Sequence, residues 1–263
     1  MRRREFVAAL GGIAALSFAA FAQSDRMRLI GLLLSQPEGD QEAKDRITAL
    51  RDGLQKLGWI EGRNIRIETR YASGSADRLR SYAEDLAKQN PDILFASATS
   101  SLSALSRAAT TIPIVFAQVT DPVGAGFVSS LARPGGHITG FTQHEFSIVI
   151  KWMELLKQLA PQTEHVAAIY DAQNPATAGY RSVMKAAVQP FGVQLSEYAV
   201  SSVGEIERAI SHIAANPASG FIVLPGPAPA NNRDLVISLA RRHRLPAVYP
   251  FRYWATAGGL AFY

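Results

Sequence analysis

The residues whose types and spacing can do chemistry gather where apolar runs give way to polar ones. Asp92 to Ala96 is one such run, and Ser97, Thr99 and Ser100 follow it within four positions. Three short hydroxyl donors beside a helix start can face a carboxylate together with the free N–H groups and partial positive charge of a helix N-terminus. Plain N-capping would need only one of them. Ile112-Pro113-Ile114-Val115-Phe116 is a second run, with Thr120 and Asp121 at its carboxyl end. Asp121 offers a charge to an ammonium group, or else caps a short helix expected over Val123 to Leu131, with Pro122 at its first position. Ser35 and Gln36 close the run Met27 to Leu34, Asp171 and Asn174 follow His165 to Tyr170, and Pro225 and Gly226 follow Gly220 to Leu224. Tyr249, Phe251, Arg252 and Tyr253 offer an aromatic wall and an anion partner, with core and hinge packing as the alternative.

Covalent chemistry has little to work with. There is no G-x-S-x-G, H-E-x-x-H, Walker loop or G-x-G-x-x-G, and Gly124-Ala125-Gly126 is only a fragment of a dinucleotide pattern. Cysteine is absent, which removes disulfides, thiolate nucleophiles and Cys-ligated metals. The five histidines are scattered, and His137 and His144 lie on a strand and a loop without metal-ligand spacing. Neither an enzyme nor a cofactor is expected. A formal charge of +5, part of it from Arg2, Arg3 and Arg4, is too small and too dispersed for nucleic acid. Arg241-Arg242-His243-Arg244 reads as a solvated helix end that complements the helix dipole.

The elements that must position these residues alternate. The strand at Met27 is followed by a helix over Gln41 to Leu57, with Ala43, Ile47, Leu50, Leu54 and Leu57 on one face. A strand at Asn64 to Arg70, a helix at Ala76 to Gln89, the strand at Asp92, a helix from Thr99 and the strand at Ile112 continue the series. His137 to Phe141 is a return strand. From Ser147 the pattern restarts: helix to Leu159, strand at His165, helix to about Gln189, strand at Val193, helix at Val203 to Ala215, strand at Gly220, helix at Asn231 to Arg242, strand at Ala247 and a final strand from Gly259. Strand and helix in alternation, with continuously apolar strands, predict parallel sheets covered on both faces. Two such series, 27–141 and 142–263, predict two α/β lobes joined by a hinge. At 263 residues, 48% of them hydrophobic, the chain is long enough for both.

Residues 1–22 read as an export signal. Arg2-Arg3-Arg4 precedes an apolar, small-residue stretch, and Ala20-Phe21-Ala22 is an A-x-A cleavage pattern. Arg3-Arg4-Glu5-Phe6-Val7 has a twin-arginine character. A periplasmic location is the expectation.

Several separated motifs carry a resemblance. Val119-Thr120-Asp121-Pro122-Val123-Gly124-Ala125-Gly126, Pro134-Gly135-Gly136-His137-Ile138-Thr139-Gly140, Leu57-Gly58-Trp59-Ile60-Glu61-Gly62-Arg63-Asn64 and Leu245-Pro246-Ala247-Val248-Tyr249-Pro250 occur in this order. Together they resemble a family of ABC-transporter substrate-binding proteins that includes tryptophan-binding members. The resemblance covers nearly all of the chain beyond residue 26. It implies two Rossmann-like lobes of the type I periplasmic-binding-protein kind, a ligand held between them, and an ABC permease as partner. It places a ligand-contacting loop at Ser97 to Ser100, where relatives often carry Gly-Ser-Ser-Pro or Asn-Gly-Thr-Pro, and matches further loops at Asp171 to Asn174 and at Pro225-Gly226. Relatives typically continue past Tyr263, so the second lobe reads as C-terminally short.

The expected function is an extracytoplasmic solute-binding component of an importer that captures an amino acid or related small carboxylate between its lobes. The alternatives are a periplasmic sensory ligand-binding protein that reports to a membrane receptor, an exported α/β enzyme, and a truncated remnant that binds nothing.

Overall fold

The computed structural model describes residues 26–263. The leader expected over residues 1–22 lies outside them. No helix among the described residues is long and apolar enough to cross a membrane.

The first half is built from β1 (Arg28–Leu34), α1 (Gln41–Lys56), β2 (Ile65–Tyr71), α2 (Ala76–Lys88), β3 (Ile93–Ser97), α3 (Thr99–Ala108), β4 (Ile114–Val119) and β5 (Ile138–Thr142). Its five strands lie in the order β2-β1-β3-β4-β5, every pair parallel. The second half holds α4 (Ile148–Leu159), β6 (His165–Tyr170), α5 (Thr177–Phe191), β7 (Gln194–Ala199), α6 (Val203–Ala214), β8 (Ser219–Val223), α7 (Pro227–Asn231), α8 (Arg233–Arg242), β9 (Ala247–Tyr249), α9 (Arg252–Thr256) and β10 (Ala261–Phe262). Its strands are also all parallel, in the order β10-β9-β8-β6-β7.

Read from its own first strand, each sheet has the same doubly wound order. The chain reverses direction across the sheet between β1 and β3 in the first half and between β6 and β8 in the second. Ligands of open α/β sheets bind at the carboxyl ends of the strands beside such a reversal.

Apolar periodicity places the helices. Leu79, Ala83 and Leu86 of α2 and Leu102 and Leu105 of α3 bury against Leu33, Leu94, Ala96 and Phe116, while Ala43 and Ile47 of α1 cover Leu32 and Leu34 on the other face. In the second half, Trp152, Met153 and Leu156 of α4 and Tyr180 and Met184 of α5 bury against one face. Ile206, Ile210 and Ile213 of α6 and Val236, Ile237 and Ala240 of α8 bury against the other. Asp40 and Ser75 cap α1 and α2 through side-chain oxygens that accept from Ala43 N–H and Arg78 N–H.

Two expected elements are corrected. Val123 to Leu131 is a series of turns rather than a helix. Asp121 and Pro122 start a single round, closed by Ala125 N–H to the Asp121 carbonyl at 2.8 Å, and Gly126 at φ 78° ends it in the left-handed region. The helix expected over Asn231 to Arg242 is observed as Arg233–Arg242, and the loop expected at Pro225 to Pro227 runs into a further short helix, Pro227–Asn231. Asn232 stands between them at φ −116°, ψ 25°, and its side-chain amide donates to the Ala228 carbonyl at 2.8 Å.

Candidate functional site

A cavity of about 70 Å³ lies where the two halves meet, at the carboxyl ends of strands from both sheets. From the first half it is lined by Ser35 and Gln36 after β1, Arg46 of α1, Ala98, Thr99 and Ser100 at the start of α3, and Gln118, Thr120 and Gln143 at the ends of β4 and β5. From the second half come Asn174, the Pro225-Gly226-Pro227 loop, Ala230, Asn231, Phe251 and Tyr253. Both strand-order reversals thus open onto one space.

The β3–α3 junction leaves polar groups without partners. Ala98 stands at the N-cap of α3 with φ 84° and ψ 160°, and no side chain caps the helix. A non-glycine residue in this region costs about 1–3 kcal/mol, and such strain persists where the surroundings hold it. Here Ala98 N–H donates to the Ala117 carbonyl at 3.1 Å and the Ala98 carbonyl accepts from Leu102 N–H at 3.1 Å. None of the hydroxyls at this junction caps the helix. Thr99 Oγ1 accepts from Thr120 N–H at 3.1 Å, which ties the β3 and β4 loops together. Ser100 Oγ is buried and has no partner. The first N–H groups of any helix lack intrahelical acceptors, and at α3 no side chain replaces them.

Gln118 reaches the cavity through a β-bulge. The β4–β5 register shifts between Ala117 and Val119, and Gln118 takes φ 60°. A bulge re-aims a side chain, and Ser97 Oγ then donates to Gln118 Oε1 at 3.2 Å.

The second-half wall is stitched to itself. Asp171 Oδ1 accepts from Gln173 N–H at 2.8 Å and Oδ2 from Ala228 N–H at 3.1 Å. Thr177 Oγ1 donates to the Asp171 carbonyl at 2.7 Å. Asn174 Nδ2 donates to the Pro225 carbonyl at 2.6 Å, and its Oδ1 accepts from Ala176 N–H at 3.2 Å. Gly226 lets the loops meet, since a Cβ there would lie 2.9 Å from Asp171 Cβ.

The halves also touch directly. Thr120 Oγ1 and Tyr180 Oη are 2.9 Å apart in a buried hydrogen bond. Arg233 of α8 pairs with Asp40 at 3.5 Å, and its guanidinium lies 5.6 Å over the Tyr253 ring. A Cβ on Gly74 would lie 3.0 Å from Pro227 Cβ across the gap. Burial pushes the Tyr253 phenol up to about 12, with Arg46 and Arg233 pulling it down and Asp40 raising it, so its hydroxyl is neutral and able to donate at ordinary pH. Burial likewise raises Tyr180 and lowers His144, whose ring stacks on Phe251 at 5.5 Å.

Ten of the expected site residues line the cavity: Ser35, Gln36, Thr99, Ser100, Thr120, Asn174, Pro225, Gly226, Phe251 and Tyr253. Five do not. Ser97 stands behind Gln118. Asp121 Oδ1 accepts from Gly124 N–H at 2.7 Å and is committed to its turn. Asp171 is spent on its loop. Tyr249 is buried in the second core, stacked on Trp254 at 5.0 Å, because β9 turns it toward α8 rather than the gap. Arg252 is exposed on α9. Arg46, Gln118, Gln143 and Asn231 escaped sequence reasoning. A signal for Arg46 was available: it directly precedes the core residue Ile47 on the first helix after a site strand.

Comparisons with known proteins bear on the family and the fold. The family model described as ABC transporter substrate binding protein matches residues 38–262, and the chain belongs to that family. A tyrosine-binding protein of Clostridioides difficile is 27% identical over 246 residues, covering 90% of this chain and 68% of that protein. The crystal structure of a conserved domain protein from Vibrio cholerae is 26% identical with a TM-score of 0.80, covering 90% of this chain and 78% of the other. An ABC domain from Streptococcus pneumoniae in complex with L-Trp is 23% identical with a TM-score of 0.79 over the same shares. A ligand-free, open substrate binding protein from Clostridium difficile is 26% identical with a TM-score of 0.54, covering 84% and 73%. The fold is that of periplasmic binding proteins.

Proposed function

We propose that the protein is the extracytoplasmic solute-binding component of an ABC importer, and that it captures an amino acid or related small carboxylate between two lobes that divide near Thr142. One observation carries this reading: a single cavity receives the carboxyl ends of strands from both sheets, at the strand-order reversal of each. A solute there touches both halves, so its binding favours the closed arrangement by the difference in contacts between closed and open states. No covalent step is needed. The serine and threonine hydroxyls that line the cavity have no histidine, lysine or carboxylate among the lining residues to act as a base. The partner is then a membrane permease that reads the closed form, and the leader residues 1–22 direct the chain to the periplasm.

The cavity also bounds the closed state. At about 70 Å³ it is roughly half the ~150 Å³ that accommodates benzene in an engineered protein core. A ligand with an aromatic ring therefore holds the lobes further apart than they stand here, whereas a compact acid does not.

A thermal-shift screen of the chain against amino acids and small organic acids tests the reading. A ligand at about 100 times its dissociation constant adds roughly 2.7 kcal/mol to stability. A clear upshift confined to one chemical class is expected. A cooperative melt that no amino acid or organic acid moves contradicts it.

A further inference from the structure

Resting on the solute-capture reading above, we infer that the cavity selects a small carboxylate lacking an α-ammonium group over the matching amino acid. The groups facing the space are those an anion needs. Arg46 is the only charged side chain among the lining residues. Ser100 Oγ, in a residue 8% exposed, is buried without a partner. It stands in the first turn of α3, a ten-residue helix whose N-terminus no side chain caps. An orphaned buried hydroxyl is expensive until something bonds it. A carboxylate drawn to this end of α3 finds free N–H groups and an unpartnered hydroxyl, with the Arg46 guanidinium lining the same cavity.

An ammonium finds no counterpart. No carboxylate lines the cavity, and three on the surrounding loops are engaged by the protein. Asp40 caps α1 through Ala43 N–H at 2.9 Å and pairs with Arg233 at 3.5 Å. Asp121 accepts from Gly124 N–H, and Asp171 accepts from Gln173 and Ala228 N–H. None of the three lines the cavity. Three of the amide acceptors that do line it are also engaged: Gln36 Oε1 by Ser35, Gln118 Oε1 by Ser97, and Asn174 Oδ1 by Ala176 N–H. The amides that remain carry no charge to offset a desolvated cation, and burying a charge without a partner is strongly unfavourable. Arg46 adds repulsion of its own.

Isothermal titration calorimetry of the chain with matched pairs decides the matter: propanoate against alanine, 3-phenylpropanoate against phenylalanine, and 3-(4-hydroxyphenyl)propanoate against tyrosine. Within each pair the tail is constant and only the ammonium differs. The expected result is that the des-amino acid binds at least tenfold more tightly in every pair that binds. Arg46→Gln and Ser100→Ala should each weaken that acid at least tenfold without lowering the melting temperature of the unliganded chain. Tighter binding of the amino acid, or affinities indifferent to Arg46→Gln, overturns the inference and leaves solute capture standing. No binding of either member of any pair at millimolar concentration overturns the carboxylate reading, and the inference with it.

Discussion

The two walls of the cleft differ in how their polar groups are used. The first-half wall leaves two groups unpaired, Ser100 Oγ and the N-terminus of α3, while its Arg46 pairs with Glu42 at 3.4 Å. The second-half wall has spent them: Asp171 and Asn174 between them engage the backbone of Gln173, Ala176, Pro225 and Ala228. The difference separates recognition from shape. On the proposed reading, the unpaired groups on one side meet the ligand, and the satisfied groups on the other hold the surface it closes against.

Substitutions break this contrast in opposite directions. Asp171→Ala strands two backbone N–H groups and should cost about 3 kcal/mol of stability, at about 1–3 kcal/mol for each orphaned group; chemical denaturation measures it. Arg46→Met should leave stability nearly unchanged yet cost about 1.5–3 kcal/mol of carboxylate binding, the worth of a hydrogen bond to a charged group, read by calorimetry. Thr120→Val removes the buried hydroxyl pair with Tyr180. It should weaken the closed state by about 1 kcal/mol, seen as a larger radius of gyration in solution scattering. Ala98→Gly should stabilise the chain by about 1 kcal/mol, since relief of about 1–3 kcal/mol of strain outweighs about 0.5–1 kcal/mol of added chain entropy.

The smallest effect concerns pH. Burial lowers the His144 pKa, so the folded chain favours the neutral ring. The stability this contributes is complete above the ordinary histidine value of about 6.5 and is lost as pH falls from there through the lowered folded value. His144→Gln should flatten the acid limb of a plot of melting temperature against pH.

The sequence made the framework legible because continuous apolar strands such as Arg28–Leu34 and His165–Tyr170 are buried on both sides and end in abrupt polar steps. Those steps are the loops at the cavity: the pattern alone placed Ser35, and the family resemblance added weight to the loops of Thr99, Asn174 and Gly226. What stayed hidden depends on contacts distant in sequence. Gln118 enters the cavity only because β4 bulges against β5. Arg46 enters because α1 starts beside the strand ends. Asp121 and Asp171 read as ligand groups because nothing in their neighbouring residues reveals the backbone N–H groups that occupy them. Tyr249 looked equivalent to Tyr253, but Tyr249 lies on a strand and turns inward, whereas Tyr253 lies on α9 and faces the gap.

The most direct test of the account is the distance between the halves. The chain contains no cysteine, so Thr48→Cys on α1 and Ser211→Cys on α6, both exposed, place one dye on each half. Single-molecule energy transfer should show a broad distribution without ligand that narrows to one shorter distance when a solute that raises the melting temperature is added. An unchanged distribution at saturating concentrations of that solute would contradict capture between two closing lobes.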